Sequence, residues 1–133
     1  MKVILDTNVL LVSIPRLSQY RLIFDSLLQG KFSMAVSESI LQEYEEIIAI
    51  KTNKTISNNL IELIYSLHNV ELTDVYFHWN LIDLDPDDNK FVDCAIAANA
   101  DYIITNDHHF QILKQIKYPI TTTLSADQFL ELL

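Results

Sequence analysis

Glycine, cysteine and proline are scarce in this sequence. Among 133 residues, Gly30 is the only glycine, Cys94 is the only cysteine, and there are three prolines. A single glycine excludes the glycine-rich loops that cradle phosphate groups, which argues against a phosphatase or nucleotide-binding α/β domain. A single cysteine excludes a disulfide framework and a thiolate metal site, so we expect Cys94 to act as a small hydrophobic residue.

Long hydrophobic runs are also absent. No apolar stretch approaches the roughly 20 residues that a membrane-spanning helix needs. The first apolar run is short, lacks a basic leader and contains Asp6, which is unlike a signal peptide. The length predicts one domain, residues 1–133, large enough to bury a core. We therefore expect a cytoplasmic protein with no membrane association.

Positive charge is the third scarcity. Nine Lys and Arg face 18 Asp and Glu, which gives a net charge of −9. Proteins that bind nucleic acid normally carry a basic face, so this balance complicates a nucleic-acid interpretation. The acids either keep the surface soluble or include a cluster that needs cations, and composition leaves both open.

Alternation of strand and helix patterns is the main structural signal. Apolar segments rich in β-branched residues alternate with segments of helical period, which predicts an α/β fold with a parallel sheet of four or five strands flanked by helices. Functional sites in such sheets lie beyond the carboxyl ends of the strands. The predicted strands are KVIL, FSMAV, VELTDV, DYIIT and PITTTL.

Several helix boundaries are predicted from capping residues. Ser37 and Ser39 are candidate N-caps of a helix that runs to about Ile50, with Ser39 and Gln42 spaced as a capping box. Segment 51–58 (KTNKTISN) is predicted to be a polar connection, and 107–116 (DHHFQILKQI) a helix. Further signals are Asp85 as N-cap before Pro86, Gly30 at a helix end, and a second capping box of Ser125 and Gln128.

Two predicted strands deliver an aspartate to their own carboxyl ends. Asp6 follows KVIL, and Asp107 follows YIIT after Asn106. The alternative is a local role, in which Asp6 or Thr7 caps the next helix and Asn106 or Asp107 forms a turn or cap. Each aspartate taken alone leaves the choice open.

Two predicted helices add further acids. Glu43 lies on the shoulder of an apolar stripe, from which its carboxylate can reach the domain body, although a solvated glutamate is the alternative. Asp88 projects from the face that carries Phe91 and Val92, whereas Asp87 points to solvent and Asp93 lies at the margin of that face. Helix-dipole effects favour an acid in the first turn, but they do not explain one on the apolar face.

The expected gathering of these acids implies a cation. No Arg or Lys is expected to accompany them, and buried carboxylates without partners repel one another at a cost of several kcal/mol. Hard divalent ions with oxygen ligands, Mg²⁺ or Mn²⁺, would satisfy such a group. Sites of this kind serve phosphoryl chemistry, in which the metal activates water.

These segments together resemble the PIN-domain family of metal-dependent nucleases, and in particular its VapC-like toxin subgroup. The matching stretches are VILDTNVL, AVSESILQEYEEII, DPDDNKFVDCAIAANADYIITND and PITTTLSADQFLEL, in the family's order and spacing. The resemblance implies a three-layer fold, an acidic pocket at the carboxyl edge of the sheet, and cleavage of single-stranded RNA supported by Mg²⁺ or Mn²⁺.

The resemblance also implies residue roles. It makes catalytic metal ligands of four acids and adds Asp93, an acid of the subgroup, as a candidate fifth metal ligand. It also implies supporting roles for Thr105, which would orient the pocket, and for Asn8, which lies beside the first acid. The four catalytic positions are Asp6, Glu43, Asp88 and Asp107. The four histidines match no motif, and His108 and His109 are expected on the surface or substrate side of the pocket rather than as ligands.

Two functions remain in competition. The first is an endoribonuclease that acts as the toxin of a toxin–antitoxin pair and is neutralised by a cognate antitoxin. The second is a non-catalytic PIN-like scaffold or interaction module. Members of the family commonly form dimers, which predicts a homodimer. The apolar residues that would form an exposed interface patch are Leu10, Leu11, Ile14 and Leu17. The alternative is that these residues face the core.

Overall fold

The computed structural model describes all 133 residues and contains a five-stranded, fully parallel sheet. Each strand is short, and three of the five, Lys2–Leu5, Ser33–Val36 and Tyr102–Ile104, are mostly apolar. The strand order is β3-β2-β1-β4-β5, so the order reverses direction beside β1. The strands are β1 (Lys2–Leu5), β2 (Ser33–Val36), β3 (Val70–Leu72), β4 (Tyr102–Ile104) and β5 (Thr123–Leu124).

Six α-helices connect and cover these strands, and α5 packs against β1, β2 and β4. They are α1 (Thr7–Ser13), α2 (Arg21–Leu28), α3 (Glu38–Lys51), α4 (Lys54–Ser66), α5 (Asn89–Ala98) and α6 (Ala126–Leu132). One continuous core of 30 buried hydrophobic residues joins helices to sheet, and Cys94 is part of it. The predicted α/β fold is therefore confirmed. None of these helices has the length and apolar composition of a membrane span.

The start of α3 differs from the predicted capping box. Ser37 is the N-cap, and its hydroxyl accepts a hydrogen bond from the Ile40 N–H at 3.3 Å. Ser39 already lies inside the first turn and is exposed, so the predicted pairing of Ser39 with Gln42 is wrong. The physical reason is that β2 ends at Val36 and leaves only one extended residue before the helix.

The predicted polar connection at 51–58 is largely helix. Asn53 caps α4 by accepting from the Ile56 N–H at 2.9 Å, so the helix begins at Lys54. The polar sequence hides this start because Ser57 faces α3, where its hydroxyl donates to the Glu45 carbonyl at 2.7 Å.

Two further helices take 3₁₀ geometry in part. Residues Pro86–Asp88 form a 3₁₀ turn that leads into α5, with Asp85 as its N-cap as predicted. The helix predicted at 107–116 is present as His108–Gln115, and its geometry is 3₁₀. The capping box of Ser125 and Gln128 is present, and Gly30 has the positive φ of 73° that its place after α2 requires.

The proposed apolar patch is only partly exposed. Leu10 is fully buried in the core, so its predicted place in an exposed patch is wrong. Leu11 and Ile14 are half-buried against the core, and Leu17 is fully exposed. The reason is that α1 packs against α2 and α3, which covers the face that carries Leu10.

Candidate active site

Asp6 lies where β1 ends, and its carboxylate is buried with 7% of the residue exposed. The Thr105 hydroxyl donates to Asp6 Oδ2 at 2.7 Å, and the same hydroxyl oxygen accepts from the Asp107 N–H at 3.0 Å. Thr105 thus links the carboxyl ends of β1 and β4. Asp6 occupies the N-cap position of α1 but makes no capping hydrogen bond, so the capping alternative does not account for its side chain.

Asp107 does take the local role that the sequence left open, and it also faces the site. Its carboxylate caps the 3₁₀ segment by accepting from the His109 N–H at 2.9 Å. The side chain remains 31% exposed. Capping therefore holds Asp107 at the sheet edge and leaves it accessible to a ligand.

Asp88 ends the 3₁₀ turn before α5 and is buried, whereas its neighbour Asp87 is exposed, as predicted. The His109 ring lies between two of the acids. Its Nδ1 is 3.4 Å from Asp88 Oδ2 and 3.3 Å from Asp107 Oδ1. The start of α5 and the end of β4 therefore meet through this histidine.

The electrostatics of the site reflect crowding of like charges. Burial raises the pKa of Asp6, and the charges of Asp107 and Glu43 raise it further, against the Thr105 hydrogen bond. Burial, followed by repulsion from Asp107, Asp85 and Asp6, raises the pKa of Asp88 to about 6. The charge of Asp107 thus makes both Asp6 and Asp88 harder to ionise.

Glu43 reaches the domain body from α3, but a lysine accompanies it. One carboxylate oxygen accepts from the Thr7 hydroxyl, and the other is 2.7 Å from the ammonium of Lys90. Both side chains of this ion pair are mostly buried, 23% and 22% exposed. The expectation that no Lys accompanies the acids is therefore wrong: Lys90 follows Asp88 by two residues on α5 and turns toward α3.

The remaining predicted residues lie apart from this group. Asp93 is buried, and its two oxygens contact the His78 ring at 3.1 Å and the Trp79 N–H at 3.0 Å. It anchors the irregular connection between β3 and Asp85 to α5. Asn8 is exposed on α1, and its side chain makes no hydrogen bond to the acids.

Three residues to which the sequence patterns assign no ligand role, Asp85, His108 and His109, stand among the potential metal ligands. Ligand atoms of Asp85, Asp88 and His109 lie within 4.8 Å of one another, as do those of Asp107, His108 and His109. The sequence assigns Asp85 to a helix cap and the histidines to the surface. The signal in the sequence that could have identified His109 is its position, because it follows Asp107 by only two residues.

A large cleft lies beside the acid site, and its lining includes none of the four acids Asp6, Glu43, Asp88 and Asp107. Its volume is about 510 Å³, and it covers the carboxyl ends of β2 and β3. Residues after β2, after β3 and at the start of α5 line it, among them Ser37, Thr73 and Lys90. We place the chemistry at the ends of β1 and β4, where the strand order reverses and the crowded carboxylates lie, and we treat the cleft as an adjoining space.

The family model for the PIN domain matches residues 2–109. No curated protein sequence matches the chain.

Three solved structures are similar over nearly the whole chain. A chain of VapBC2 from Rickettsia felis, bound to a DNA fragment from its promoter, has a TM-score of 0.65 at 19% identity, covering 94% of this chain and 98% of that one. DNA-bound VapBC from Salmonella typhimurium gives 0.62 at 16%, covering 95% and 98%. VapBC-1 from nontypeable Haemophilus influenzae gives 0.60 at 18%, covering 96% and 99%. At these identities the likeness establishes a shared fold.

Proposed function

The chain belongs to the PIN-domain family, and from that membership we propose that it is a metal-dependent endoribonuclease that cleaves single-stranded RNA. One observation carries the proposal. Asp6, Asp88 and Asp107 come from separate elements at one edge of the sheet, and the pKa values of Asp6 and Asp88 are raised by burial and by neighbouring carboxylates, that of Asp107 among them. Such repulsion destabilises the folded protein unless a bound cation neutralises the carboxylates, so the arrangement marks a candidate functional site.

A divalent cation fits this donor set. The three carboxylates offer the hard oxygen ligands that Mg²⁺ and Mn²⁺ take, and no Lys or Arg is paired with them. We propose Asp6, Asp88 and Asp107 as the ligands. A bound ion would supply activation of a water molecule and stabilisation of charge on the phosphodiester.

The neighbouring residues then have positioning roles. Thr105 orients the Asp6 carboxylate, and His109 spans Asp88 and Asp107. Glu43 contributes negative charge beside Asp6 but is already paired with Thr7 and Lys90. Asp93 is left outside the proposed ligand set because His78 and Trp79 engage both its oxygens.

The test is cleavage of labelled single-stranded RNAs with Mg²⁺, Mn²⁺ or EDTA. We expect products with either metal and none with EDTA. If no RNA is cut under any condition while the protein remains folded, the scaffold alternative takes the place of the nuclease.

We further propose that the chain is the toxin of a toxin–antitoxin pair. The similarity to chains of VapBC structures supports this role. With a net charge of −9, a partner segment that carries Arg or Lys would neutralise the acidic site. The proposal fails if the protein purifies from its native source without a partner and is harmless when expressed alone.

A homodimer is the remaining proposal about assembly. Leu17 is fully exposed, and Val12 and Leu22 on the adjoining helices are 41% and 44% exposed. Pairing of two copies through this surface, which we call the α1–α2 face, would remove these side chains from water.

A further inference from the structure

Lys90 stands on the boundary between the acid site and the large cleft. Its ammonium is 2.7 Å from Glu43 on one side, and its side chain lines the cleft on the other. The chain has nine Lys and Arg, and Lys90 is the one that forms an ion pair with a predicted site acid. It is also the only Lys or Arg that lines the cleft.

This position matters because the chain repels a polyanion. The net charge is −9, and the cleft itself is lined by Glu38, Asp74, Asp87 and Asp93. These carboxylates repel a phosphate group over most of the cleft, and Lys90 is the one Lys or Arg of its lining that would attract it.

The ammonium has hydrogen-bonding capacity to spare. Lys90 Nζ carries three donors, of which one is used by Glu43. Glu43 in turn is fixed by the Thr7 hydroxyl, so the ion pair holds the lysine in place rather than leaving it mobile in solvent. The arrangement presents two free donors at 22% side-chain exposure.

We propose that Lys90 binds a phosphate of the RNA strand beside the phosphate that is cleaved, with Glu43 as its positioning residue. This inference rests on the proposed nuclease function. It predicts the path of the bound RNA strand, which runs from the acid site past Lys90 along the rim of the cleft. Glu43 then acts on the substrate through Lys90 and is not a ligand of the metal.

The experiment measures binding of a short labelled single-stranded RNA by fluorescence anisotropy, over a series of NaCl concentrations and with Ca²⁺ in place of Mg²⁺. We expect Lys90→Met to raise the Kd about ten-fold and to lower the slope of log Kd against log salt by about 0.7. Lys90→Arg should retain most of the affinity. Lys54→Met, at an exposed lysine at the start of α4, is the charge-matched control and should bind as the wild type does.

A second comparison separates phosphate binding from simple neutralisation of Glu43. If Lys90 contacts RNA, Lys90→Met should still cost about ten-fold when introduced into Glu43→Gln. Loss of the effect in that background, or equal binding by Lys90→Met and wild type, overturns the inference while the nuclease proposal stands. A wild-type protein that neither binds nor cleaves RNA overturns both. Circular dichroism of each variant establishes that it is folded.

Discussion

At Asp88, burial and like-charge repulsion act on the same carboxyl group, whereas its neighbour Asp87 is exposed. The two residues therefore form a matched pair for locating the chemistry. Asp88→Asn should abolish Mg²⁺-dependent RNA cleavage, because a ligand charge is lost from the proposed metal site. Asp87→Asn should cleave RNA at the wild-type rate in the same gel assay. An inactive Asp87→Asn, or two fully active variants, would require the site to be redrawn.

The same carboxyl group predicts a pH dependence of stability in the metal-free protein. The pKa of Asp88 is raised from 3.8 to about 6, so the folded state binds this proton more tightly than the unfolded state does. The contribution to stability is complete below pH 4 and is lost as the pH rises through 6. Between pH 7.5 and 5 the wild type should gain roughly 1 kcal/mol that Asp88→Asn does not gain.

Urea unfolding in EDTA at these two pH values measures that difference. Asp87→Asn, at the exposed neighbour, should keep the wild-type gain. At pH 7.5 Asp88→Asn should be as stable as the wild type or slightly more so, since removal of one crowded charge relieves repulsion. A variant that loses stability at pH 7.5 would show that Asp88 is held by favourable contacts instead.

At the scale of single elements, the Ser37 N-cap fixes the start of α3, the helix that carries Glu43. Ser37→Ala removes the N-cap and should lower the free energy of unfolding by about 1 kcal/mol. Ser39→Ala changes an exposed residue inside the first turn and should alter stability by less than about 0.5 kcal/mol. Urea unfolding of both variants checks this order, and the reverse order would restore the capping box predicted from the sequence.

The buried side-chain amide of Asn89 is a second anchor, beside Asp93, of the irregular connection between β3 and α5. The Asn89 side chain accepts from the Ile82 N–H and donates to the Ile82 carbonyl, each at 2.9 Å. Asn89→Ala leaves both buried peptide groups without partners and should cost about 2–4 kcal/mol. Urea unfolding measures this loss, and hydrogen exchange should show faster exchange at the Ile82 amide.

The matched control is Asn58→Ala, at an exposed position within α4, which should leave stability almost unchanged. If Asn89→Ala were equally harmless, the connection would be held by the Asp93 contacts to His78 and Trp79 alone.

At the scale of the whole molecule, the α1–α2 face predicts the oligomeric state. The protein should be a dimer by light scattering at micromolar concentration, and Leu17→Asp should make it monomeric by placing a charge in the interface. Leu72→Asp, at an exposed leucine on the edge strand β3, should remain dimeric. A wild-type monomer would remove the homodimer proposal and leave the nuclease proposal intact.

The features that the sequence predicts correctly are those that depend on a pattern of residues within one helix or strand. The alternation of strands and helices, the Ser125–Gln128 capping box and the burial of Asp88 against exposed Asp87 all follow from periodicity within one element. The pairing of Lys90 with Glu43 spans 47 residues, and the contact of His109 with Asp88 spans 21. No local pattern encodes these contacts, because they depend on how α5 is oriented against α3 and against the end of β4.

The neighbours of β1 in the sheet have a consequence for the order of events during synthesis. The first strand pairs with β4 through Val3 and Tyr102, and the Thr105 hydroxyl that orients Asp6 is 99 residues away in the chain. Because a ribosome releases the amino terminus first, the opening strand waits for most of the chain before it gains this neighbour. Such high contact order slows folding, and Asp6 meets Asp107 only after β4 has been synthesised. A chain interrupted before β4 would therefore carry Asp6, Glu43 and Asp88 but neither Thr105 nor Asp107, so a truncated translation product would lack the complete proposed metal site.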